Sequence, residues 1–221
     1  LRWVAPLLAP KRDAAGGARV LNYWEERGRQ RADALDFPAP ADPDAPCACF
    51  YTGGTTGAPK LAVHRHRGAL YNGWLVRRLL LTPEDSVLCP LPLFHVLAAY
   101  PMLAACIASG AHFVMPTPAG YRGDGVIRNF WKLCERWQCS FFCTVPTAIS
   151  ALMQRPVDAD VSKVNYALCG SAPMPPELFR RFEAATGVKI LEGYGQTETT
   201  CLISCNPPEG ERKIGSVGLP L

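Results

Sequence analysis

From Pro46 onward the chain alternates short apolar runs with segments of helical period, and that alternation restricts the fold more than any other feature. Cys47 to Tyr51, Ser86 to Cys89, Ala111 to Met115, Ser140 to Thr144, Tyr166 to Leu168 and Val188 to Leu191 read as strands. Between them Ala69 to Leu81, Val96 to Ala108, Val126 to Trp137, a segment opened by Pro146, and Pro175 to Ala185 read as helices. Gly110 and Gly187 stand where helices stop, and Pro146 suits a first helical turn. On Ala69 to Leu81, residues Tyr71, Trp74, Leu75 and Leu79 share one face. Repeated strand-then-helix order predicts an α/β fold of parallel sheets flanked by helices in layers. Ahead of it, Leu21 to Leu35 has a mixed-charge helical look, and Pro38 to Pro46, rich in Pro, Ala and Asp, reads as a connector. Residues 1–45 are therefore expected to be a partial segment with a connector, and 46–221 the core of one domain.

With 48% apolar and 19% charged residues the chain can bury a sizeable core. The net charge of +4 is mild and its basic residues are scattered, which argues against a nucleic-acid partner. Ser86 to Tyr121 contains no Asp, Glu, Lys or Arg, but Pro90, Pro92, Pro101, Pro116 and Pro118 break it too often for a membrane-spanning helix. Of the ten cysteines, Cys89, Cys106, Cys134, Cys143 and Cys169 sit among apolar neighbours. The close pairs Cys47/Cys49, Cys139/Cys143 and Cys201/Cys205 lack zinc-site spacing and a histidine at ligand distance. With no secretory signal at its start, the chain is expected to be cytoplasmic, with reduced structural thiols.

In sheets of this class ligands bind at the carboxyl ends of the strands, and the unusual loops here all follow strands. Tyr51-Thr52-Gly53-Gly54-Thr55-Thr56-Gly57-Ala58-Pro59-Lys60 combines three glycines, three threonine hydroxyls and a terminal lysine. Glycines let the backbone turn its N–H groups onto an anion, so the loop suits a polyphosphate. It lacks the Gly-Lys-Ser/Thr ending of a Walker loop.

That string closely resembles the phosphate-binding loop of the adenylate-forming superfamily, which includes acyl-CoA synthetases, peptide-synthetase adenylation domains and firefly luciferase. The family usually has Ser or Thr where Gly53 stands and Gly where Leu61 stands. Gly170-Ser171-Ala172-Pro173-Met174 resembles the segment that lies against adenine and borders the acyl pocket. Glu192-Gly193-Tyr194-Gly195-Gln196-Thr197-Glu198-Thr199 resembles the adenylate-binding motif. By that resemblance Tyr194 packs on adenine, Thr197 contacts the α-phosphate and Glu198 helps to hold Mg²⁺, a cation that prefers hard oxygen ligands. Pro92-Leu93-Phe94-His95 resembles the segment whose last residue lies near the carboxylate and the acyl tunnel. His64 and His66 are expected to be solvated residues near the start of the next helix. Ile214 to Pro220 resembles a following segment of structural role.

The resemblance implies ATP-dependent activation of a carboxylic acid to an acyl-adenylate, followed by thioester formation with coenzyme A. Lys60, His95, Thr197 and Glu198 would be catalytic. Thr52 to Gly57, Gly170 to Ala172 and Glu192 to Gly195 would bind the nucleotide. The acid pocket is expected to draw on His95, Phe141 to Thr147 and residues just after Thr199, with Phe141, Phe142 and Val145 favouring an acyl or aryl tail. An adenylation domain that loads a carrier-protein thiol, or an inactive nucleotide-binding fragment, would show the same motifs. The family's ribose-binding aspartate and its small C-terminal domain with an essential lysine have no counterpart here. The chain opens on Leu1 and stops within a motif, and is expected to be a fragment that binds ATP weakly and turns over negligibly.

Overall fold

A computed structural model describes residues 22–31, 33, 41–52 and 60–221, with the side chain of Tyr23 left aside. The chain divides into two units between Ala41 and Asp42. In the first, helix α1 (Tyr23–Arg29) is capped by the Asn22 side chain, which accepts the Trp24 N–H at 2.9 Å. The Pro38 to Pro46 connector lies partly outside the described residues, as do Gly53 to Pro59 of the glycine-threonine loop.

The second unit opens with an antiparallel hairpin of β1 (Pro46–Thr52) and β2 (Lys60–Arg65), in which Thr52 pairs with Lys60. Helix α2 (His66–Leu80) follows directly. Then come β3 (Ser86–Leu88), a π-helical turn (Ala98–Ala104) running into α3 (Ala105–Ser109), and β4 (His112–Val114). Next are α4 (Phe130–Arg136), β5 (Phe141–Thr144), α5 (Pro146–Leu152), β6 (Tyr166–Cys169), α6 (Pro176–Thr186) and β7 (Lys189–Gln196). A 3₁₀ turn (Thr197–Thr199) leads to β8 (Cys201–Cys205), and β9 (Leu219–Pro220) closes the order.

Strands β4-β3-β5-β6-β7 form a parallel sheet in that spatial order, to which β8 and β9 add antiparallel. The α/β layering expected from the sequence is thus present. Alternate side chains feed two apolar layers. Val87, Phe141, Cys143, Leu168 and Leu191 enter one layer with the π-helical turn and α3. Leu88, Phe142, Ala167 and Ile190 enter the other with α4, α5 and α6. Period-two alternation sends neighbours on one strand to opposite faces. Hence Phe141 and Phe142, expected at the acid pocket, are both core residues, 1% and 0% exposed.

Other expectations change for physical reasons. Tyr71, Trp74 and Leu79 face outward on α2, at 47%, 50% and 40% exposure, while Asn72, Gly73, Leu75 and Val76 face in. Gly73 lies where an added Cβ would stand 3.1 Å from the Ala104 carbonyl, so α2 packs through its smallest residue. Asn72 turns inward because its Oδ1 accepts the Leu202 N–H at 3.0 Å. The helix expected from Val96 is widened at its start: Pro101 has no N–H to give, and the turn around it is π-helical. Gly110 and Gly187, with φ of 81° and 72°, end α3 and α6 as expected. Among the described residues no helix is long and apolar enough to cross a membrane.

Candidate active site

The parallel strands end on one edge, where β6 and β7 are still paired through Cys169 and Glu192. A cleft of about 180 Å³ lies over their carboxyl ends, and His95, Gly170, Ser171, Gly193 to Thr197 and Leu202 take part in its wall. Two glycines allow the walls to close on each other. A Cβ at Gly170 would stand 3.1 Å from the Gly193 carbonyl, and one at Gly195 would lie 2.0 Å from the Cys201 carbonyl. No side chain is tolerated at the latter. Ser171 keeps φ at 68°, a left-handed geometry that turns the chain sharply after β6.

Tyr194 stands at the mouth with 41% of its surface exposed, its hydroxyl accepting from Gln196 Nε2 at 2.5 Å. The Thr197–Thr199 turn follows, with the Thr200 N–H directed to the Thr197 carbonyl at 3.3 Å. Glu198 is exposed and makes no hydrogen bond or ion pair among the described residues. Immediately beyond, Thr200 and Cys201 both hold positive φ, 63° and 98°. His95 accepts the Leu97 N–H on Nδ1 at 3.3 Å, which leaves Nε2 free to donate. Burial of part of its ring against the cleft lowers its pKa below the usual imidazole value. Cys169 and Cys201 also touch the cleft, but burial pushes both thiols up to about 12, so they remain protonated and unreactive.

Lys60 opens β2, exposed, across from Thr52, whose Oγ1 donates to the Lys60 carbonyl at 3.5 Å. The hairpin is fastened to the cleft through His64. Its Nε2 lies 2.6 Å from the Thr197 carbonyl and its Nδ1 3.0 Å from the Tyr100 hydroxyl. His64 is 1% exposed, which overturns the solvated position expected for it. The cause is an inverted strand: Leu61 and Val63 point outward at 53% and 59% exposure, and the histidine takes the inner row. His66, the first residue of α2, is only half-buried.

Of the residues singled out by sequence, His95, Gly170, Ser171, Gly193, Tyr194, Gly195 and Thr197 line one cleft, and Glu198 adjoins it. Gly53, Gly54, Thr55, Thr56 and Gly57 lie outside the described residues. Ala172 is exposed beside the cleft rather than lining it. Glu192 points away: its Oε1 accepts the Met174 N–H at 3.0 Å, and its Oε2 is buried without a protein partner. Sequence reasoning passed over Leu97 and Gln196 in the cleft wall, and Tyr100 behind it, while Leu202 belongs to the stretch just after Thr199 expected at the acid pocket. The helical spacing of Leu97 and the position of Gln196 inside the motif were the available signals.

A second cleft, about 650 Å³ and largely apolar, opens at Phe94, the neighbour of His95, with Leu91, Ile127, Val145 and Ala148 in its wall and Arg122 among them.

Comparison with known proteins shows the family and the fold of the chain. The chain is 40% identical over 181 residues to a marinolic acid–CoA ligase of Pseudoalteromonas sp., covering 78% of this chain and 27% of that protein. It is 36% identical to a sulfoacetate–CoA ligase of Cupriavidus necator, covering 85% and 36%. A crystal structure of ATP-bound MatB from Rhodopseudomonas palustris superposes with a TM-score of 0.70 at 30% identity, covering 81% of this chain and 35% of that one. The chain thus spans about a third of the length of the relatives it matches. The AMP-binding enzyme family matches residues 9–221, nearly the whole sequence and every element that builds the cleft, and the chain belongs to that family.

Proposed function

We propose that this chain carries the nucleotide site of an ATP-dependent acid–thiol ligase, which joins a fatty or aryl acid to AMP and passes the acyl group to coenzyme A. What most supports this reading is the single cleft that gathers His95, Gly170–Ser171, Tyr194 and Thr197, with the Lys60 hairpin fastened beside it.

The chemical difficulty is that a carboxylate must attack a phosphorus already surrounded by negative oxygens. One like-charge pair at 4 Å costs about 1 kcal/mol in water and about 4 kcal/mol at an effective dielectric of 20. Several pairs meet at once, so the site must supply positive charge and fixed donors. In this proposal the loop ending at Lys60 cradles the β- and γ-phosphates, Thr197 donates its hydroxyl to the α-phosphate, and Tyr194 stacks on adenine. The open wall at Gly170 and Gly193 leaves room for the flat base. His95 donates from Nε2 to the acid's carboxylate and holds it in line for attack. The carboxylate oxygen forms a bond to the α-phosphorus as the bond to pyrophosphate breaks. The thiol sulfur of coenzyme A then attacks the acyl carbon, losing its proton and displacing AMP.

Mg²⁺ fits Glu198, because a solvent-open carboxylate with no competing cation among the described residues suits a metal that shares its coordination with phosphates. Bound there, it would neutralise phosphate charge and favour departure of pyrophosphate. Among the described residues the wall of the first cleft contains no Lys or Arg, and the neighbouring one holds a single arginine, Arg122, among mainly apolar residues, which supports a mainly apolar acid tail. The neighbouring apolar cleft at Phe94 and Val145 is where a long tail would extend. A reducing, cytoplasmic setting belongs to the same proposal, supported by ten free cysteines of which eight are buried. Residues 46–221 act as the adenylation core in this reading, and by themselves bind ATP weakly and turn over negligibly.

The test is ATP–pyrophosphate exchange by the complete natural polypeptide carrying these residues, with straight-chain and aryl acids of graded size. Exchange dependent on an apolar acid, then thioester formation with free coenzyme A, is expected. Exchange with no acid would overturn the reading, and thioester formation only on a carrier protein would redirect it to carrier loading.

A further inference from the structure

We propose that His64 is a positioning residue, which sets the Thr197–Glu198 turn against the hairpin that carries Lys60; this rests on the function proposed above. Three observations support it. His64 alone gives side-chain hydrogen bonds from β2 to the turn and to the π-helical segment, at 2.6 Å to the Thr197 carbonyl and 3.0 Å to the Tyr100 hydroxyl. A carbonyl can only accept, so Nε2 carries the hydrogen, and in the neutral ring Nδ1 accepts from Tyr100. The ring orientation is therefore fixed at both nitrogens. One face is held as well, by Phe50 stacked at 5.2 Å between centroids, while Tyr100 stands tilted at 5.5 Å.

The second observation is the unusual distribution of side chains on β2. A strand selected for stability alone would bury Leu61 and Val63, yet those are exposed and the histidine is buried. Burying an imidazole is costly unless both nitrogens are paired. Both are, and one partner is a main-chain carbonyl one residue from the acidic side chain of the nucleotide motif. The third is the close fit around the turn. A Cβ at Gly68 would stand 2.9 Å from Thr200 Oγ1, so the segment after the turn lies directly on α2. Gly68 behind it and His64 in front thus both hold the turn against the hairpin that carries Lys60.

Three variants in the complete natural polypeptide separate this role from simple core filling. A glutamine amide reaches roughly where imidazole Nε2 sits; an asparagine amide falls short, and leucine has no donor. His64→Leu and His64→Asn are expected to raise the KM for MgATP about tenfold while the KM for the acid stays within about twofold. His64→Gln is expected to return MgATP KM to within about threefold of the parent. Melting temperature and the hydrogen exchange of the Thr199 and Thr200 amides are read in parallel. The leucine and asparagine variants are expected to lose amide protection there. Unchanged MgATP KM in both variants overturns the proposal. So does a parallel loss of melting temperature and activity in all three, since a purely structural histidine would give no rescue by glutamine. Exchange absent from the parent would instead refute the proposed reaction, and MgATP binding measured calorimetrically across the same variants would still decide the role of His64.

Discussion

Glu192 on β7 accepts the Met174 N–H at 3.0 Å, so one carboxylate oxygen fastens the loop after β6 to the neighbouring strand. That loop begins with Gly170 and Ser171 of the cleft wall, so the fastening ties the cleft wall to β7. Removing the acceptor leaves a buried N–H unpaired, which costs about 1–3 kcal/mol before any cavity is counted. Glu192→Ala is expected to lower unfolding free energy by at least that much in denaturant titrations. Glu192→Gln keeps an acceptor at the same reach and is expected to stay within about 1 kcal/mol of the parent.

Gly195 sits where β8 folds back on β7, and an added Cβ would lie 2.0 Å from the Cys201 carbonyl. The obstacle is main chain, so it cannot rotate aside as a side chain would. Gly195→Ala is expected to destabilise the fold by about 3 kcal/mol, through overpacking. Because Tyr194 and Thr197 flank the position, nucleotide affinity is expected to fall further than stability alone explains. Calorimetric titration with ATP at a temperature where the variant remains folded would measure that excess.

Glu198 has no cationic partner among the described residues, so its charge is free to meet a bound cation. Glu198→Gln keeps the size and removes the charge. The expected outcome is a rise of about tenfold or more in the Mg²⁺ concentration needed for half-maximal exchange, with the melting temperature of the unliganded protein unchanged. Titration of exchange rate against Mg²⁺ at saturating ATP would show it.

For His95, partial burial disfavours the imidazolium, so the folded protein releases that proton more readily than the unfolded chain. Its contribution therefore lowers stability as pH falls below about 6.5, the ordinary imidazole value, and has no effect at higher pH. The neutral, Nε2-donating ring persists at pH 7. An NMR titration of the His95 ring is expected to give a midpoint below 6.5, and the acid limb of the exchange rate is expected to follow it. A midpoint above that value would remove His95 from the donor role.

The strand order and helix positions were readable because apolar period and glycine stops are local signals. Gly110 and Gly187 end their helices where the sequence places them. The motif residues Gly170, Gly193, Tyr194 and Thr197 were likewise readable as a group, although nothing local brings β6 beside β7; their resemblance to a known family did that. What could not be read depends on tertiary partners. The buried side of α2 is decided by Ala104 and Leu202, which need Gly73 and Asn72 rather than Trp74. The strand β2 is hard to read because its apolar residues face out, and Phe141 and Phe142 fill the core rather than a pocket because strand alternation sends them into the two apolar layers.

Thr200 and Cys201, two successive residues without glycine's freedom, keep left-handed backbone at φ of 63° and 98° just past the acidic turn. Each such residue costs about 1–3 kcal/mol and persists only while its surroundings enforce it. The corner is thus under tension that β8 pairing and the contact at Gly68 must continually oppose. Any change that slackens those restraints, even far from the ligand, lets the corner spring toward ordinary dihedrals and carries Glu198 with it. Under the proposed function, nucleotide binding is therefore expected to fail at mild perturbation, well before the sheet itself comes apart.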